Sequence, residues 1–311
     1  TGWYRPIMAG IGQPRHQTTT PASPPRSATT VTWTLFWIPA TFIAAAAQTA
    51  RNAMQRSLTA TLGTVGASQV RFLYGFPFAL LFLAGVALVS GDSVPFGGTP
   101  FLAFTAGGAV TQILATVLML AAMRERSFAV TTALIKTEPV LVAIFGILVL
   151  GDHLTVLGAI AILAATSGVV LMAVKPGTAL VSGSALRPAV LGVVAGVFFA
   201  VSAVGFRGAI LSLPSGSFVL RSTMTLAWSL GLQTAMLVVW LGAFDRPALF
   251  KSFSAWKPSL FAGFMGALAS QFWFIGFSLT SAANVRTLAL VEVLMAQGVS
   301  QIGRASCRER V

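Results

Sequence analysis

The sequence has little charge, and acidic charge is especially scarce. Only 9% of its 311 residues are charged, against about 25% in soluble domains, and only seven are Asp or Glu. Histidine occurs twice and cysteine once, as Cys307, so we expect no disulfide, no metal site, no histidine-based catalysis and no cofactor. The net charge of +13 is scattered, without a basic run or an RNA-binding motif, and therefore does not indicate nucleic-acid binding.

Apolar side chains are abundant instead, at 56% of the sequence, and the mean hydropathy is +0.84. Apolar runs of about twenty residues recur, each long enough to cross a bilayer as a helix. They are continuous rather than alternating, which favours helices over a β-barrel. The sequence therefore predicts an all-α polytopic membrane protein with nine helices, at 32–50, 69–90, 99–122, 127–150, 155–174, 188–211, 217–242, 258–280 and 284–301.

Both ends of the sequence differ from the apolar body. Residues 1–30 are rich in Thr, Pro, Ser and Arg, a composition typical of a disordered tail or of non-native sequence. Residues 302–311, IGRASCRERV, resemble a short-read sequencing adapter translated in one frame, and we expect them to be a non-native scar. On this interpretation the ninth helix is cut short, and a tenth helix would follow Gln301 in the intact protein.

The sequence also contains signs of an internal repeat on either side of a loop at 175–187. We expect a first repeat at 31–174 and a second, truncated repeat at 188–301. Five helices per repeat is an odd number, so the second repeat would be inverted in the membrane, as is typical of secondary transporters. A shift of 154 residues aligns Ser127, Ala129, Leu134 and Glu138 with Ser281, Ala283, Leu288 and Glu292, while Gln112 and Arg51 have counterparts in Gln271 and Arg207.

Two short patterns resemble the EamA-like family of the drug/metabolite transporter superfamily. One is the acid–proline pair Glu138-Pro139, whose second copy is Val291–Leu294, and the other is the Gly-acid-x-Leu pattern of Gly151–Leu154. The arginine that opens the family's second helix is matched by Arg71, and in the second copy by Arg221.

The resemblance implies a secondary active transporter that exports small metabolites or drugs, since members of the family often move their substrates outward. It would work by alternating access in the bacterial inner membrane. The expected partners are a small-molecule substrate and the lipid bilayer, with proton coupling and a homodimer left open. A lipid or isoprenoid-carrier flippase remains an alternative. An intramembrane lipid-modifying enzyme is a weaker one, because the sequence lacks clustered His, Asp or Ser-Lys pairs.

Glu138 and Glu292 are the main candidates for a substrate-binding or coupling site. A carboxylate within the membrane is costly, so each must be neutral, paired or facing a cavity, where it could carry a proton or contact a substrate amine. Lys136 lies about 200° around the helix from Glu138, so it needs a partner on another helix or must snorkel to the interface. Pro139 should kink its helix.

The remaining candidates have structural alternatives that the sequence does not exclude. Headgroup anchoring is the first interpretation of Arg71 and Arg221, and an anion-contacting site or a gate is the other. Gln112 and Gln271 could hydrogen-bond either the substrate or a neighbouring helix. Trp273 lies in an aromatic-rich helix that serves either packing or the stacking of a planar substrate.

Overall fold

The chain is built from helices. The structure, a computed structural model, describes residues 35–125, 128–173 and 183–298, and every regular element in these ranges is a helix. The predicted tail 1–30 and the adapter-like segment 302–311 lie outside the described residues. The helices are α1 (Trp37–Ser90), α2 (Thr99–Glu125), α3 (Phe128–Ile135), α4 (Glu138–Leu150), α5 (Val156–Ala173), α6 (Gly183–Ser212), α7 (Phe218–Phe244), α8 (Arg246–Ser254), α9 (Trp256–Leu279) and α10 (Ala282–Leu288), and residues 291–298 are again helical.

Helix α1 is a hairpin of two arms rather than a single rod. One of its 54 residues, Gly63, has a non-helical backbone with φ 70° and ψ 178°, which is essentially restricted to glycine. The Gln55 side chain donates a 2.9 Å hydrogen bond to the Ala67 carbonyl, although twelve residues of straight helix would separate them by about 18 Å. The chain therefore turns back at Gly63. The predicted ends of helices 32–50 and 69–90 are wrong, because helical structure continues through residues 51–68 on both sides of this turn.

The apolar helices confirm an all-α polytopic membrane protein. Five of the described helices, namely α1, α2, α6, α7 and α9, are long and apolar enough to cross a membrane, and shorter apolar helices include α4. Each arm of α1 alone exceeds the ~20 residues that a crossing needs. The sequence missed α8, a short polar helix whose first turn is capped by Asp245 Oδ1, which accepts from the Ala248 N–H at 3.1 Å. Helix α6 also begins at Gly183, inside the predicted loop 175–187.

Two predicted helices are broken at corresponding places. The predicted helix 127–150 is interrupted at residues 136–137, between α3 and α4, and the predicted helix 284–301 is interrupted at residues 289–290, after α10. The starts of α3 and α10 are 154 residues apart, the same offset that relates the sequence identities. The offset therefore relates broken helices as well as residue types.

Pro139 lies in the first turn of α4 instead of kinking a continuous helix. Proline is well suited to this position because its missing N–H would have no partner within the helix. The Ile135 carbonyl just before the break lies against Gly196 of α6, where even a Cβ atom would come within 2.8 Å of its oxygen. The predicted kink is thus a complete break, and close packing against α6 accommodates it.

The packing of the helices brings the two breaks together. Helix α9 packs along both arms of α1, and α2 packs along α6, so each contact joins one predicted repeat to the other. Helix α4 packs against both α6 and α10. The apolar core between these helices includes Phe206 and Phe274, whose ring centroids are 4.8 Å apart. The region between α4 and α10 is polar by contrast.

A buried ion cluster between two broken helices

Two ion pairs connect the broken helices. Lys136 Nζ lies 2.6 Å from Glu292 Oε2, and Arg286 Nε lies 3.0 Å from Glu138 Oε1. The second contact is an ion pair by distance, since the N–H of Arg286 is not directed at the oxygen as a hydrogen bond requires. All four side chains are at most 5% exposed. The pairs cross, because each glutamate is held by a cation from the other predicted repeat.

The local structure explains where the carboxylates stand. Glu138 is the first residue of α4, and Glu292 lies in the first turn of the helical stretch 291–298. Each glutamate therefore sits at the positive end of a helix dipole, which attracts the negative charge of a carboxylate. A continuous helix would offer no such end at this depth, so the breaks create the environment for both carboxylates.

Three hydrogen-bonding side chains connect the two ion pairs. Gln48 Nε2 donates to both oxygens of Glu292, at 3.1 and 2.9 Å, and Asn52 Nδ2 donates to Oε1 at 3.4 Å. Trp273 Nε1 donates to Gln48 Oε1 at 2.9 Å, and the indole ring lies 4.6 Å from the Arg286 guanidinium carbon. Trp273 thus contacts both halves of the cluster, through a hydrogen bond on one side and a cation–π contact on the other.

Two further cations lie beside these hydrogen-bonding side chains. Arg51 is 1% exposed and donates from Nε and Nη2 to Asn52 Oδ1, at 3.1 and 2.6 Å. Arg71 is 2% exposed and donates from Nη1 to Thr116 Oγ1 at 3.0 Å. Both side chains pass over Gly266 of α9, where a Cβ atom would lie 3.2 Å from Arg51 Cδ and 3.3 Å from Arg71 Cγ. A side chain at this position would crowd both arginines. We call Arg51, Arg71, Lys136, Glu138, Arg286 and Glu292 the buried ion cluster.

The two ion pairs line a small cavity of about 20 Å³, which is room for roughly one water molecule, and Arg51 and Arg71 lie outside its lining. A metabolite does not fit this space, so the helices must separate before one can reach the cluster. The residues that line the cavity come from both predicted repeats: Gln48, Asn52, Met119, Thr132, Ile135, Lys136, Glu138, Phe199, Arg286 and Glu292.

Several predicted site residues lie elsewhere or have a different environment. Arg71 is buried, so headgroup anchoring is wrong for it, whereas Arg221 is half-buried and does not line the cavity. Gln112 accepts a 2.8 Å hydrogen bond from Gln233, and Gln271 donates a 2.9 Å bond to the Thr223 hydroxyl. In the described structure both predicted glutamines therefore connect helices and do not line the cavity.

Most of the polar residues that α1 contributes were not predicted as site residues. Gln48, Arg51, Asn52 and Gln55 are spaced at i, i+3, i+4 and i+7, which places them on one face of a helix. This spacing can be seen in the sequence, but the predicted helix ended at residue 50 and so excluded three of the four residues. Arg286 was missed because its counterpart at the 154-residue offset is Thr132, which carries no charge.

Asp152, the acid of the Gly-acid-x-Leu pattern, forms a separate ion pair. Its carboxylate accepts from Arg207 Nη2 at 3.0 Å and from Arg207 Nε at 3.2 Å. Arg207 Nη1 also donates to the carbonyls of Phe277 and Thr280 at the end of α9. The loop before α5 is thereby tied to α6 and α9, which belong to the other predicted repeat.

This contact revises one predicted correspondence. Arg56 Nε donates to the Met123 carbonyl at 3.3 Å, and Met123 is 154 residues before Phe277, whose carbonyl Arg207 contacts. The contact of Arg56 thus resembles that of Arg207, although the 154-residue offset relates Arg207 to Ala53. The predicted match of Arg51 with Arg207 joins residues in different environments, because Arg51 lies in the buried ion cluster.

The half of the chain that carries the first broken helix has known relatives. Residues 33–174 match the EamA-like transporter family. The EamA-like match confirms the resemblance to the drug/metabolite transporter superfamily, and together with the apolar helices it indicates an integral membrane protein. Members of the EamA-like family are transporters rather than enzymes.

Solved structures share the fold over most of the chain. Sixteen chains match, and one of them, described as "Crystal structure of protein", superposes with a TM-score of 0.61. The two are 13% identical, and the alignment covers 88% of this chain and 87% of that one. At this identity the similarity shows the fold alone. No curated protein matches the chain.

Proposed function

We propose that this protein is a secondary active transporter of small metabolites or drugs, working by alternating access in the bacterial inner membrane and exporting its substrate. The observation that carries the proposal is the pair of broken helices whose ends are joined by crossed, buried ion pairs. Discontinuous helices between repeats are a recurring way for transporters to place binding groups near the middle of the membrane.

The energetic cost of the cluster supports a functional role. Charged side chains inside a membrane are expensive, and replacing a buried ion pair by apolar side chains of similar volume is often neutral or stabilising. A protein that needed only a stable bundle would therefore do as well with apolar residues at Lys136 and Glu292. Charges retained at this depth are better suited to binding a polar substrate or to coupling its movement to protons.

The arrangement supports a mechanism in which the two predicted repeats, 31–174 and 188–301, rock against each other. Opening the cavity to either side would separate α4 from α10 and so break the crossed ion pairs. A separated glutamate could take up a proton or a substrate amine, and re-pairing with its cation would release it. Glu138 and Glu292 are the proposed coupling residues, with Lys136 and Arg286 as their partners.

The test compares cells that produce the wild-type full chain with cells that produce Glu138→Gln or Glu292→Gln. Mass spectrometry of cytoplasm and medium measures the outside-to-inside ratio of small metabolites. We expect the wild-type protein to raise this ratio for at least one polar metabolite. Both variants should lose most of that effect at equal amounts of membrane protein.

Glu125→Gln is the matched control, because Glu125 pairs with Arg187, whose side chain is 79% exposed, at the surface. This variant should keep the wild-type metabolite ratios. Unchanged ratios in cells that produce the wild-type protein would contradict transport of small metabolites. Full activity of Glu138→Gln and Glu292→Gln would contradict the coupling role of the glutamates.

A further inference from the structure

The buried ion cluster contains more positive than negative charge. It holds four cations and two carboxylates, and none of the six side chains is more than 5% exposed. Each carboxylate already has a cationic partner, so the excess of two positive charges resides on Arg51 and Arg71. Their hydrogen bonds go to the neutral acceptors Asn52 and Thr116.

No other carboxylate in the described chain neutralises this excess. Asp152 pairs with Arg207, and Glu125 pairs with Arg187. Asp245 caps α8, and Asp92 lies exposed in the segment after α1.

The two arginines also keep unused hydrogen-bond donors. Arg51 Nη1 and Arg71 Nε are buried without a partner among the described residues. Both side chains pass over the same residue, Gly266, so their unused donors lie in one region of the interface between α1 and α9. Arg51 reaches the cavity through Asn52, which lines it.

An anionic partner would use these free donors and balance the buried charge. Within the described residues, Arg71 otherwise has its bond to Thr116 and a contact with the Phe72 ring, whose centroid lies 4.9 Å from its guanidinium carbon. The guanidinium group presents a planar set of N–H donors that matches the oxygens of a carboxylate or a phosphate. We propose that the solute carried by this protein bears a carboxylate or phosphate group, which binds Arg51 and Arg71 once the cluster opens. This inference rests on the proposed transport function and specifies its class of substrate.

Lys136 and Arg286 have a different part in this proposal. Each is paired with a glutamate in the closed cluster, so neither is free to bind an anion while the pairs persist. Arg51 and Arg71 attract the anion first, and the glutamates are positioned to contact a cationic or hydrogen-bond-donating part of the same solute. A small organic anion with an amine or hydroxyl group fits this arrangement.

The binding test uses the purified full chain in detergent and follows thermal unfolding by tryptophan fluorescence at constant pH and ionic strength. The probes are citrate, glycerol 3-phosphate and inorganic phosphate, with putrescine, choline and glycerol as cationic and neutral controls. We expect at least one anion to raise the unfolding midpoint by several degrees. A higher midpoint with citrate than with glycerol 3-phosphate would indicate recognition of a carboxylate, and the reverse would indicate recognition of a phosphate. A higher midpoint with inorganic phosphate would show that the phosphate group itself is recognised.

Three variants assign the effect to the arginines. Arg51→Gln and Arg71→Gln should each raise the half-saturating anion concentration at least tenfold. Arg51→Lys keeps the charge but not the planar set of donors, so it should raise that concentration less than Arg51→Gln does. Arg246→Gln is the matched control, because Arg246 is exposed and contacts only the Gly242 carbonyl. Without ligand, the two glutamine variants should unfold at or above the wild-type temperature, since each removes an unpaired buried charge.

Three results would overturn the inference. The first is stabilisation by the cationic or neutral probes alone. The second is an anion effect that persists in both Arg51→Gln and Arg71→Gln. The third is a marked fall in the unfolding midpoint of these two variants without ligand, which would show that the arginines are structural. Export of only cationic or neutral metabolites would overturn the anion inference and leave the transport function standing. Anion binding without any change in metabolite ratios would instead refute transport and leave the binding site standing.

Discussion

Breaking the pair between Glu138 and Arg286 should destabilise the protein far more than breaking an ion pair at its surface. Glu138→Gln leaves the Arg286 guanidinium buried without a carboxylate, and removing one partner of a buried pair costs about 3–5 kcal/mol. A shift of roughly 2–4 °C per kcal/mol applies to chains of about 150–250 residues, and it is smaller for this chain of 311, so the unfolding midpoint should fall by several degrees. Thermal unfolding in detergent, followed by tryptophan fluorescence, measures this shift.

The double variant Glu138→Gln with Arg286→Gln distinguishes a buried pair from a general loss of packing. Removing both charges leaves no uncompensated ion, so the double variant should recover most of the lost stability. Glu125→Gln should change the free energy of unfolding by less than about 1 kcal/mol, because its pair with Arg187 is largely exposed. A double variant as unstable as the sum of its two single variants would refute the reasoning, since it would show that the side chains act independently.

Two glycines should be sensitive for different reasons, and each has a control in the same chain. Gly63→Ala forces an alanine into φ 70° and ψ 178° at the turn of α1 and should cost about 1–3 kcal/mol, whereas Gly85→Ala, in open space, should be close to neutral. Gly196→Ala places a Cβ 2.8 Å from the Ile135 carbonyl and should lower the unfolding midpoint, whereas Gly107→Ala meets no neighbour within 4 Å. Equal midpoints within either pair would contradict the corresponding geometry.

The apolar helices were predictable from sequence because their signal is local. An uncharged run of about twenty residues identifies a membrane crossing without knowledge of its neighbours. The breaks were harder to predict, since the residues around 136–137 and 289–290 are themselves compatible with a continuous helix. Pro139 indicated a disturbance, but its size depends on the close approach of Gly196, which belongs to another helix.

The site was only partly predictable for a related reason. Glu138, Glu292 and Lys136 were identified because any charge within an apolar run is conspicuous. The polar face of α1 was not identified, because Gln48, Arg51 and Asn52 lie near the end of the apolar run and resemble the start of a loop. Only the turn at Gly63 and the packing of α9 show that this face is buried.

The two carboxylates of the closed cluster occupy corresponding positions in the two predicted repeats, but the two cations that pair with them do not. This difference affects which substrate the cluster can bind. Glu138 and Glu292 are related by the 154-residue offset, but Lys136 corresponds to Leu290, and Arg286 corresponds to Thr132. On the predicted duplication, the two repeats supply equivalent carboxylates, whereas the cations that pair with them have no charged counterpart in the other repeat. A solute between the two halves would meet different groups on its two sides. Such a cavity is suited to an unsymmetrical molecule, with an anionic group at one end and a hydrogen-bond donor at the other.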